Sequence, residues 1–313
     1  MRGQMKAIGF DLGSAYTKAV LLDDDGKLVL SYDERRSSDD RRAVLECLDR
    51  IESSFPGESF ACGMGGGRND AGDDADDLVD INGIMAVVAG IGWMGLKPRR
   101  IIEIGGHSAK SILLNPDSPG AIREFTIHDA CAAGSGSFFE SQAERLGMSV
   151  EELAARSAAA KREAVIAGRC AVFAKSDMIH LQQKGTPVDE IALGVCMAIC
   201  RNALATLLKS RDPEPPVVIA GGCAKNGGII RAFRTIFRMP ESDRLMPSPY
   251  PGLECAIGAA VKAASAGAKL RSIRELKKLV GRRVTTGGFS RDALPPLRRP
   301  SRLPRRHSRR TRR

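Results

Sequence analysis

Aromatic residues are scarce in this chain: one Trp, three Tyr and ten Phe occur among 313 residues. Grooves that hold a sugar ring or single-stranded RNA commonly stack it on aromatic side chains, so a groove of that kind is disfavoured. Glycine is abundant instead, with 33 residues. This balance favours an α/β protein with many tight turns around a nucleotide.

Long apolar runs are also lacking. The longest uncharged stretch, residues 81–96, holds four glycines and is shorter than the roughly 18 to 20 apolar residues that a membrane span needs. We interpret it as a buried helix and a turn. No secretory signal pattern stands before the first strand pattern. We therefore expect a cytoplasmic protein with no membrane partner.

The eight cysteines do not have the spacing of a secreted disulfide framework in a chain of this length. In a reducing cytosol, a cysteine in a special setting is better interpreted as a ligand or a nucleophile than as half of a structural disulfide.

The net charge of +11 is concentrated at one end of the chain. Residues 269–313 carry 17 Lys or Arg against Glu275 and Asp292, so residues 1–268 have a net charge of −4. The pattern at 269–283 is compatible with a basic helix, but the Arg- and Pro-rich remainder cannot bury enough apolar surface to order itself. We predict a disordered tail and interpret it as the read-through of a broken reading frame, in preference to a patch for nucleic acid or a membrane surface.

Hydrophobic periodicity alternates strands with helices. Apolar or alternating runs predict strands at 7–11, 17–22, 28–32, 100–104, 111–114 and 216–220. Helical spacing predicts helices at 41–51, 136–146, 150–161, 186–208 and 253–268. The Gly- and Asp-rich segment 59–77 is predicted to be a loop. A mixed α/β fold follows.

Three of the predicted strands end in glycine turns. The segments are FDLGSAYTK at 10–18, IIEIGGHSAK at 101–110 and VVIAGGCAKNGG at 217–228. Backbone N–H groups in such turns can face a phosphate. A single turn of this kind is a weak indication, but three in this order favour a nucleotide site.

The first turn offers groups for a phosphate and for Mg²⁺. Asp11 closes its strand, and a carboxylate there can hold Mg²⁺ through water, as hard oxygen ligands do. Gly13 allows a sharp hairpin, although an ordinary β-hairpin is the alternative for this turn alone. The other candidate phosphate contacts in this turn are Ser14, Ala15, Thr17 and Lys18.

The second turn places Glu103 at the end of a buried strand, where a carboxylate is costly unless it is paired or faces a metal. Gly105 and Gly106, which follow it, let the backbone approach a phosphate closely.

The third turn has the character of an adenosine site. Gly221 and Gly222 would let an adenosine pack flat against the backbone, and Asn226 is a candidate hydrogen-bond partner for it. A helix is predicted to open at about Ala224.

The order Asp-x-Gly-x-x-x-Thr, then Gly-Gly, then Gly-Gly-x-x-x-Asn resembles the actin-like ATPase superfamily. The resemblance implies an α/β fold of two ribonuclease-H-like halves with a nucleotide cleft between them. We expect the first half at 1–97 with 245–268 added, the second half at 98–244, and the tail at 269–313. Sugar kinases share this fold, so the fold alone does not give the function.

Two cysteine segments narrow the resemblance. Cys131 lies in HDACAAGSGSFFE at 128–140, and Cys170 lies in AGRCAVFAKSD, thirty-nine residues later. With the third glycine turn, these segments are similar to the ATPase activators of 2-hydroxyacyl-CoA dehydratases and to the related ATPase subunits of benzoyl-CoA reductases. The similarity runs from about residue 6 to residue 263.

The resemblance implies a homodimer or pseudo-dimer with one [4Fe–4S] cluster at its interface. By match to the motif, Cys131 and Cys170 are the cluster ligands. A [4Fe–4S] cluster generally needs four thiolates, and a two-fold axis would supply the same pair from each subunit. Small residues after Cys131 would let backbone N–H groups and the positive end of a helix face the cluster. Two unrelated buried cysteines are the alternative.

The resemblance also implies a reaction cycle. Ferredoxin or flavodoxin supplies one electron, ATP with Mg²⁺ binds in each cleft, and closure or hydrolysis moves the halves. The electron then passes at a lower potential to an acyl-CoA dehydratase or reductase component. Phosphoryl transfer depends on positioning and charge stabilisation, for which Asp11 and Glu103 are the candidate catalytic residues.

The second turn departs from the family pattern. The family's Asp, and its Gln-Asp after Gly-Gly, are replaced here by Glu103, His107 and Ser108. Since Glu is longer than Asp by one methylene, we expect Mg²⁺ or water to be placed differently and hydrolysis to be slow or altered.

Two other functions stay open. A sugar or N-acetylhexosamine kinase without a cluster would need a base for the substrate hydroxyl and would leave Cys131 and Cys170 without a joint purpose. A regulator or nucleic-acid binder acting through the Arg-rich tail would leave the phosphate turns unexplained, so we expect no nucleic-acid partner.

Overall fold

The computed structural model describes residues 5–13, 15–35, 40–66, 78–129, 132–167, 171–209, 211–240 and 243–286. Within them the strands are β1 (Ala7–Leu12), β2 (Tyr16–Leu22), β3 (Leu28–Arg35), β4 (Ser59–Gly65), β5 (Val79–Ile81), β6 (Arg100–Ile104), β7 (Ala109–Leu114), β8 (Ile122–His128), β9 (Val217–Ala220), β10 (Leu245–Pro247) and β11 (Arg271–Ser272). The helices are α1 (Asp40–Ser54), α2 (Gly83–Trp93), α3 (Gly136–Arg145), α4 (Val150–Ala159), α5 (Ala171–Gln183), α6 (Val188–Leu207), α7 (Gly227–Phe237), α8 (Glu254–Ser265) and α9 (Ile273–Thr286).

Two sheets organise these elements. The first has the strand order β11-β4-β1-β2-β3, with β5 paired to β4, and the second has the order β10-β9-β6-β7-β8. In each sheet an antiparallel pair, β1–β2 or β6–β7, carries one glycine turn, and a parallel strand lies beside it. The strands and helices that periodicity predicts are present with shifts of a few residues at their ends.

Two helices cross between the sheets. Helix α2 follows the first sheet in the chain but packs in one core cluster with Ile101, Ile112 and Val218 of the second sheet. Helix α8 follows the second sheet but packs with Ala7, Val20 and other residues of the first. The two helices also pack against each other. Helices α2 and α8 therefore connect the two sheets, because each follows one sheet in the chain and packs against the other.

The predicted loop at 59–77 is wrong for its first part, because Ser59–Gly65 form β4, which lies between β1 and β11 in the first sheet. Residues 67–77 of that prediction lie outside the described residues. The glycines of β4 serve packing: a Cβ on Gly63 would overlap the Ala259 carbonyl of α8, and one on Gly65 would lie 2.6 Å from the Cys255 Sγ. Because glycine has no Cβ, it lets the backbone of a helix approach a strand closely.

The chain after residue 244 contributes strands to both sheets. Leu245–Pro247 pair with β9 in the second sheet, at the start of the segment 245–268 that is predicted to join the first half. Arg271–Thr286, within the predicted tail, form β11 and α9. This segment folds against the first sheet because Ile273, Leu276 and Val280 are buried in the core there. Residues 287–313 lie outside the described residues, and the boundaries of the halves stay a prediction.

Helix α6 meets the length and composition of a membrane span, but 72% of its apolar window is buried inside the protein. Its cysteines Cys196 and Cys200 are fully buried. It is therefore the central core helix of the second half, packed against α4 and α7.

Candidate functional site

A cavity of about 980 Å³ is lined by residues of both sheets. It brings together most of the residues that the three glycine turns predict: Asp11, Gly13, Ala15, Lys18, Glu103, Gly105, Gly106, Gly221, Gly222 and Asn226. Thr17 is 1% exposed, and its Oγ1 has no hydrogen-bond partner within the described part of the chain. Ser14 lies outside the described residues. The three turns, about 90 to 120 residues apart in sequence, therefore share one cavity.

Each hairpin presents one carboxylate and one lysine to this cavity. Asp11 is the register partner of Lys18, and the Lys18 Nζ lies 3.3 Å from Asp11 Oδ2. Burial lowers the pKa of Lys18, but the carboxylates around it together raise that pKa by more, so it lies above its ordinary value. The ammonium therefore stays charged and is available to a bound anion.

The tips of the first and second turns touch. The second turn is closed by the Gly105 N–H, which donates to the Ser108 carbonyl at 2.8 Å. A Cβ on Gly106 would overlap the Cβ of Ala15 in the first turn. Glycine is required there by close approach between the hairpins, and the contact sets the spacing of the two phosphate turns.

Helix α3 is attached to the second turn. Its first N–H groups donate to that turn: Gly136 N to the Gly105 carbonyl at 2.9 Å, and Ser137 N to the Gly106 carbonyl at 2.7 Å. These bonds satisfy N–H groups that a helix N-terminus leaves unpaired. A Cβ on Gly136 would lie 3.1 Å from Cys223 Sγ and 3.2 Å from the Gly105 oxygen. The turn and the start of α3 are therefore packed as one unit.

The third turn is held by a residue that sequence reasoning missed. Glu254 Oε1 accepts from the Gly221 N–H at 3.2 Å, and Oε2 accepts from the Gly252 N–H at 2.8 Å. The carboxyl is 2% exposed, and burial raises its pKa. Gly221 has φ +82°, so this turn needs both a glycine and an acceptor. The available signal was a single Glu at the start of an otherwise small and apolar helix.

Replacing Glu254 with Gln is expected to destabilise the third turn. A carboxylate accepts both N–H groups, whereas an amide would place its own NH₂ against one of them and leave a buried donor unpaired. The expected loss in the free energy of unfolding is about 1 to 3 kcal/mol, measured by urea denaturation. Glu144→Gln, on an exposed position of α3, is the control and should stay within about 0.5 kcal/mol. Equal stabilities of the two variants would contradict this role.

The predicted adenosine contact, Asn226, has a structural task as well. Its Oδ1 accepts from the Gly228 N–H at 2.8 Å, which caps α7, and lies 2.9 Å from Ser157 Oγ. Its Nδ2 lies 3.5 Å from Cys196 Sγ. The cavity wall beside it is made of small α4 residues: Ala154, Ala155 and Ala158. The small side chains at this wall leave room for an aromatic base, and the hydrogen bond from Asn226 to that base stays a prediction.

Two ion pairs cross the cleft and were also missed. Lys225, in the short 3₁₀ helix that follows the third turn, lies 2.5 Å from Asp33 of β3. Arg35, at the end of β3, lies 3.1 Å from Glu140 of α3. Both pairs join the first sheet to elements of the second half. Sequence patterns do not reveal them because the partners are more than 100 residues apart.

The predicted cluster ligands Cys131 and Cys170 lie outside the described residues. The chain next to each is described: Ala132–Gly134 form a 3₁₀ turn, and α5 begins at Ala171. Among the described residues, no group of three or more His, Cys, Asp or Glu side chains is placed to hold a metal ion. The assignment of the two cysteines stays a prediction.

Comparison with known proteins gives the family. The profile of the BadF/BadG/BcrA/BcrD ATPase family matches residues 8–263. The chain belongs to this family. A relative of this ATPase-family protein, the activator of lactoyl-CoA dehydratase from Anaerotignum propionicum, is 33% identical over 269 residues, which cover 85% of this chain and 100% of the relative.

Solved structures show the same fold. The activator of the 2-hydroxyisocaproyl-CoA dehydratase from Clostridium difficile, with bound ADPNP, superimposes on this ATPase-family protein with a TM-score of 0.72 and 26% identity, covering 88% of this chain and 98% of that one. Component A of the (R)-2-hydroxyglutaryl-CoA dehydratase of Acidaminococcus fermentans has a TM-score of 0.72 at 24% identity, covering 85% and 100%. The predicted actin-like ATPase fold and the predicted family are confirmed.

Proposed function

We propose that this protein is an ATP-hydrolysing activator, which drives single low-potential electrons into a 2-hydroxyacyl-CoA dehydratase or a benzoyl-CoA reductase-type component. The observation that carries the proposal is similarity over the whole length of a relative named as an activator of lactoyl-CoA dehydratase. The shared cavity of the three glycine turns supports the ATP-dependent part.

The cavity residues support Mg²⁺–ATP as the substrate. Backbone N–H groups of the glycine turns and the lysines of the two hairpins would bind the phosphates. Asp11 and Glu103, which are 13% and 15% exposed, would orient Mg²⁺ through its water ligands. The attacking water would be positioned between the two hairpins, since phosphoryl transfer needs alignment and charge stabilisation more than covalent catalysis. The ADPNP of the solved neighbour supports a nucleotide in this cleft.

Cys131 and Cys170 from each of two copies would hold one [4Fe–4S] cluster, which when bound supplies one-electron chemistry at low potential. The described residues next to them fit thiolate ligands. Helix α5 begins at Ala171, directly after Cys170, and a 3₁₀ turn begins at Ala132. N–H groups at a helix start lower the pKa of an adjacent thiol.

A second copy of this chain is the proposed dimer partner. Phe173 and Ile179 are 67% and 44% exposed, so α5, the helix that follows Cys170, has large apolar side chains on its surface. A homodimer around the two-fold axis would cover them and complete the set of four thiolates. Ferredoxin or flavodoxin is the proposed electron donor, and the cytoplasm the proposed location.

The attachment of α3 to the second turn supports coupling between ATP and the cysteine segment. The carbonyls of Gly105 and Gly106 bind the first N–H groups of α3, and Cys131 lies just before that helix. A change in the second turn on hydrolysis would therefore be transmitted to the chain that carries the thiol.

The proposal is tested with protein purified without oxygen and reduced with dithionite. It is expected to hydrolyse ATP and to make lactoyl-CoA dehydratase activity depend on ATP, measured as acryloyl-CoA formation. The non-hydrolysable ADPNP should not replace ATP. An iron-free protein that phosphorylates a hexose or an N-acetylhexosamine would instead establish the kinase alternative.

A further inference from the structure

The second hairpin carries a lysine that no motif assigned. Lys110 is the register partner of Glu103, and its Nζ donates to Glu103 Oε2 at 2.7 Å. This repeats the arrangement of Lys18 with Asp11 on the first hairpin, where the distance is 3.3 Å. All four side chains line the same cavity and are 13% to 21% exposed. The two halves therefore present matching ion pairs from matching strands.

Electrostatics makes these lysines important for an anionic ligand. Among the described residues, the charged side chains that line the cavity are Asp11, Asp33, Glu103, Glu140 and Glu151, against Lys18, Lys110 and Lys225. Lys225 is paired with Asp33 across the cleft. Glu140 is likewise paired with Arg35. The polyphosphate of ATP remains anionic after one Mg²⁺ binds, so Asp11 and Glu103 repel it unless the lysines beside them reach its oxygens.

We propose that Lys110 is a second phosphate-binding lysine, the counterpart of Lys18, and that Glu103 is its counter-ion before nucleotide binds. The inference rests on the proposed ATP-binding function. When Mg²⁺–ATP enters, Glu103 turns toward the water shell of Mg²⁺, and the Lys110 ammonium moves from the carboxylate to a phosphate oxygen. No proton or covalent bond is exchanged. The longer Glu side chain brings its carboxylate closer to its lysine than Asp11 does.

The test measures nucleotide affinity by isothermal titration calorimetry with Mg²⁺–ATP and with AMP. Lys110→Gln should weaken Mg²⁺–ATP binding about 10- to 100-fold, the factor of one charge-assisted hydrogen bond. AMP lacks the outer phosphates, so its affinity should change less than about 3-fold. Lys27→Gln, at a lysine whose side chain is 76% exposed outside the cavity, is the matched control and should change neither affinity.

A double variant separates phosphate binding from repulsion by an unpaired Glu103. In the Glu103→Gln background, adding Lys110→Gln should still cost about 10- to 100-fold in Mg²⁺–ATP affinity. If that second change costs nothing, Lys110 only neutralises Glu103 and the proposal is overturned. Melting temperatures show whether each variant is folded. If Lys110→Gln alone does not fold, the double variant, in which neither side chain is charged, is compared with Glu103→Gln.

The outcome for the unchanged protein keeps the two proposals apart. If it binds Mg²⁺–ATP but the Lys110 variants bind equally well, this inference is wrong and the proposed function stands. If the unchanged protein does not bind Mg²⁺–ATP, the proposed function itself fails.

Discussion

Replacing Cys131 or Cys170 with alanine is expected to remove the iron from protein purified without oxygen. If each subunit supplies two of four thiolates, one substitution removes two ligands from the dimer's cluster, because symmetry repeats the loss. The unchanged protein should contain about four irons per dimer, measured by iron and sulfide analysis, and should give an EPR signal after reduction. Both variants should lack the signal and fail to activate the dehydratase.

A cysteine from the core provides the matched control. Cys47 of α1 is fully buried, and burial raises the pKa of its thiol to about 12. Such a thiol is a poor metal ligand, so Cys47→Ala should keep the iron. ATP binding should persist in the Cys131 and Cys170 variants, because the three glycine turns that line the cavity belong to other segments. Iron retained in both variants would contradict the ligand assignment.

The nucleotide cleft could be predicted largely because its signals are local. A buried strand followed by Gly-Gly, or by Asp-x-Gly, can be recognised within ten residues of sequence. The cavity contains ten of the twelve nucleotide-contact and catalytic residues that those turns predict. The register of each hairpin then follows from its turn. Lys110 was open to the same reasoning, because it stands opposite Glu103 as Lys18 stands opposite Asp11.

The features that sequence reasoning missed depend on distant partners. The glycines of β4 are typical of a loop, and only the packing of α8 against the strand, with Ala259 against Gly63, explains them. Glu254 accepts from the N–H of the nearby Gly252, but its role at the cavity appears only when the third turn, some thirty residues earlier, brings the Gly221 N–H to it. The pattern at 269–283 predicts a basic helix, and α9 is present there, but the burial of three of its side chains beside the first sheet depends on residues far away in the chain.

Replacing Gly106 with alanine is expected to lower kcat/KM for ATP hydrolysis by at least about 100-fold. The added Cβ would overlap the Cβ of Ala15, and neither methyl group can rotate away. Carbon atoms in contact lie about 3.5 to 4.0 Å apart, so the two hairpins must separate by about an ångström, a displacement that phosphoryl transfer does not tolerate. Steady-state phosphate release measures the effect. Gly92→Ala, in α2 where a Cβ meets nothing within 4 Å, is the control.

A compensating change distinguishes spacing from general damage. With Ala15→Gly added, the nearest atom of the first turn to the new Cβ is the Cα of residue 15 at 3.8 Å, an ordinary contact. The double variant moves one methyl group from the first hairpin to the second, so hydrolysis should recover at least about 10-fold over Gly106→Ala alone, a coupling of more than about 1.4 kcal/mol. Independent effects of the two substitutions would show that the contact between the hairpin tips does not set the catalytic spacing. The Gly106 carbonyl also accepts from the Ser137 N–H of α3. If dehydratase activation recovers together with hydrolysis, the contact between residues 15 and 106 controls both activities.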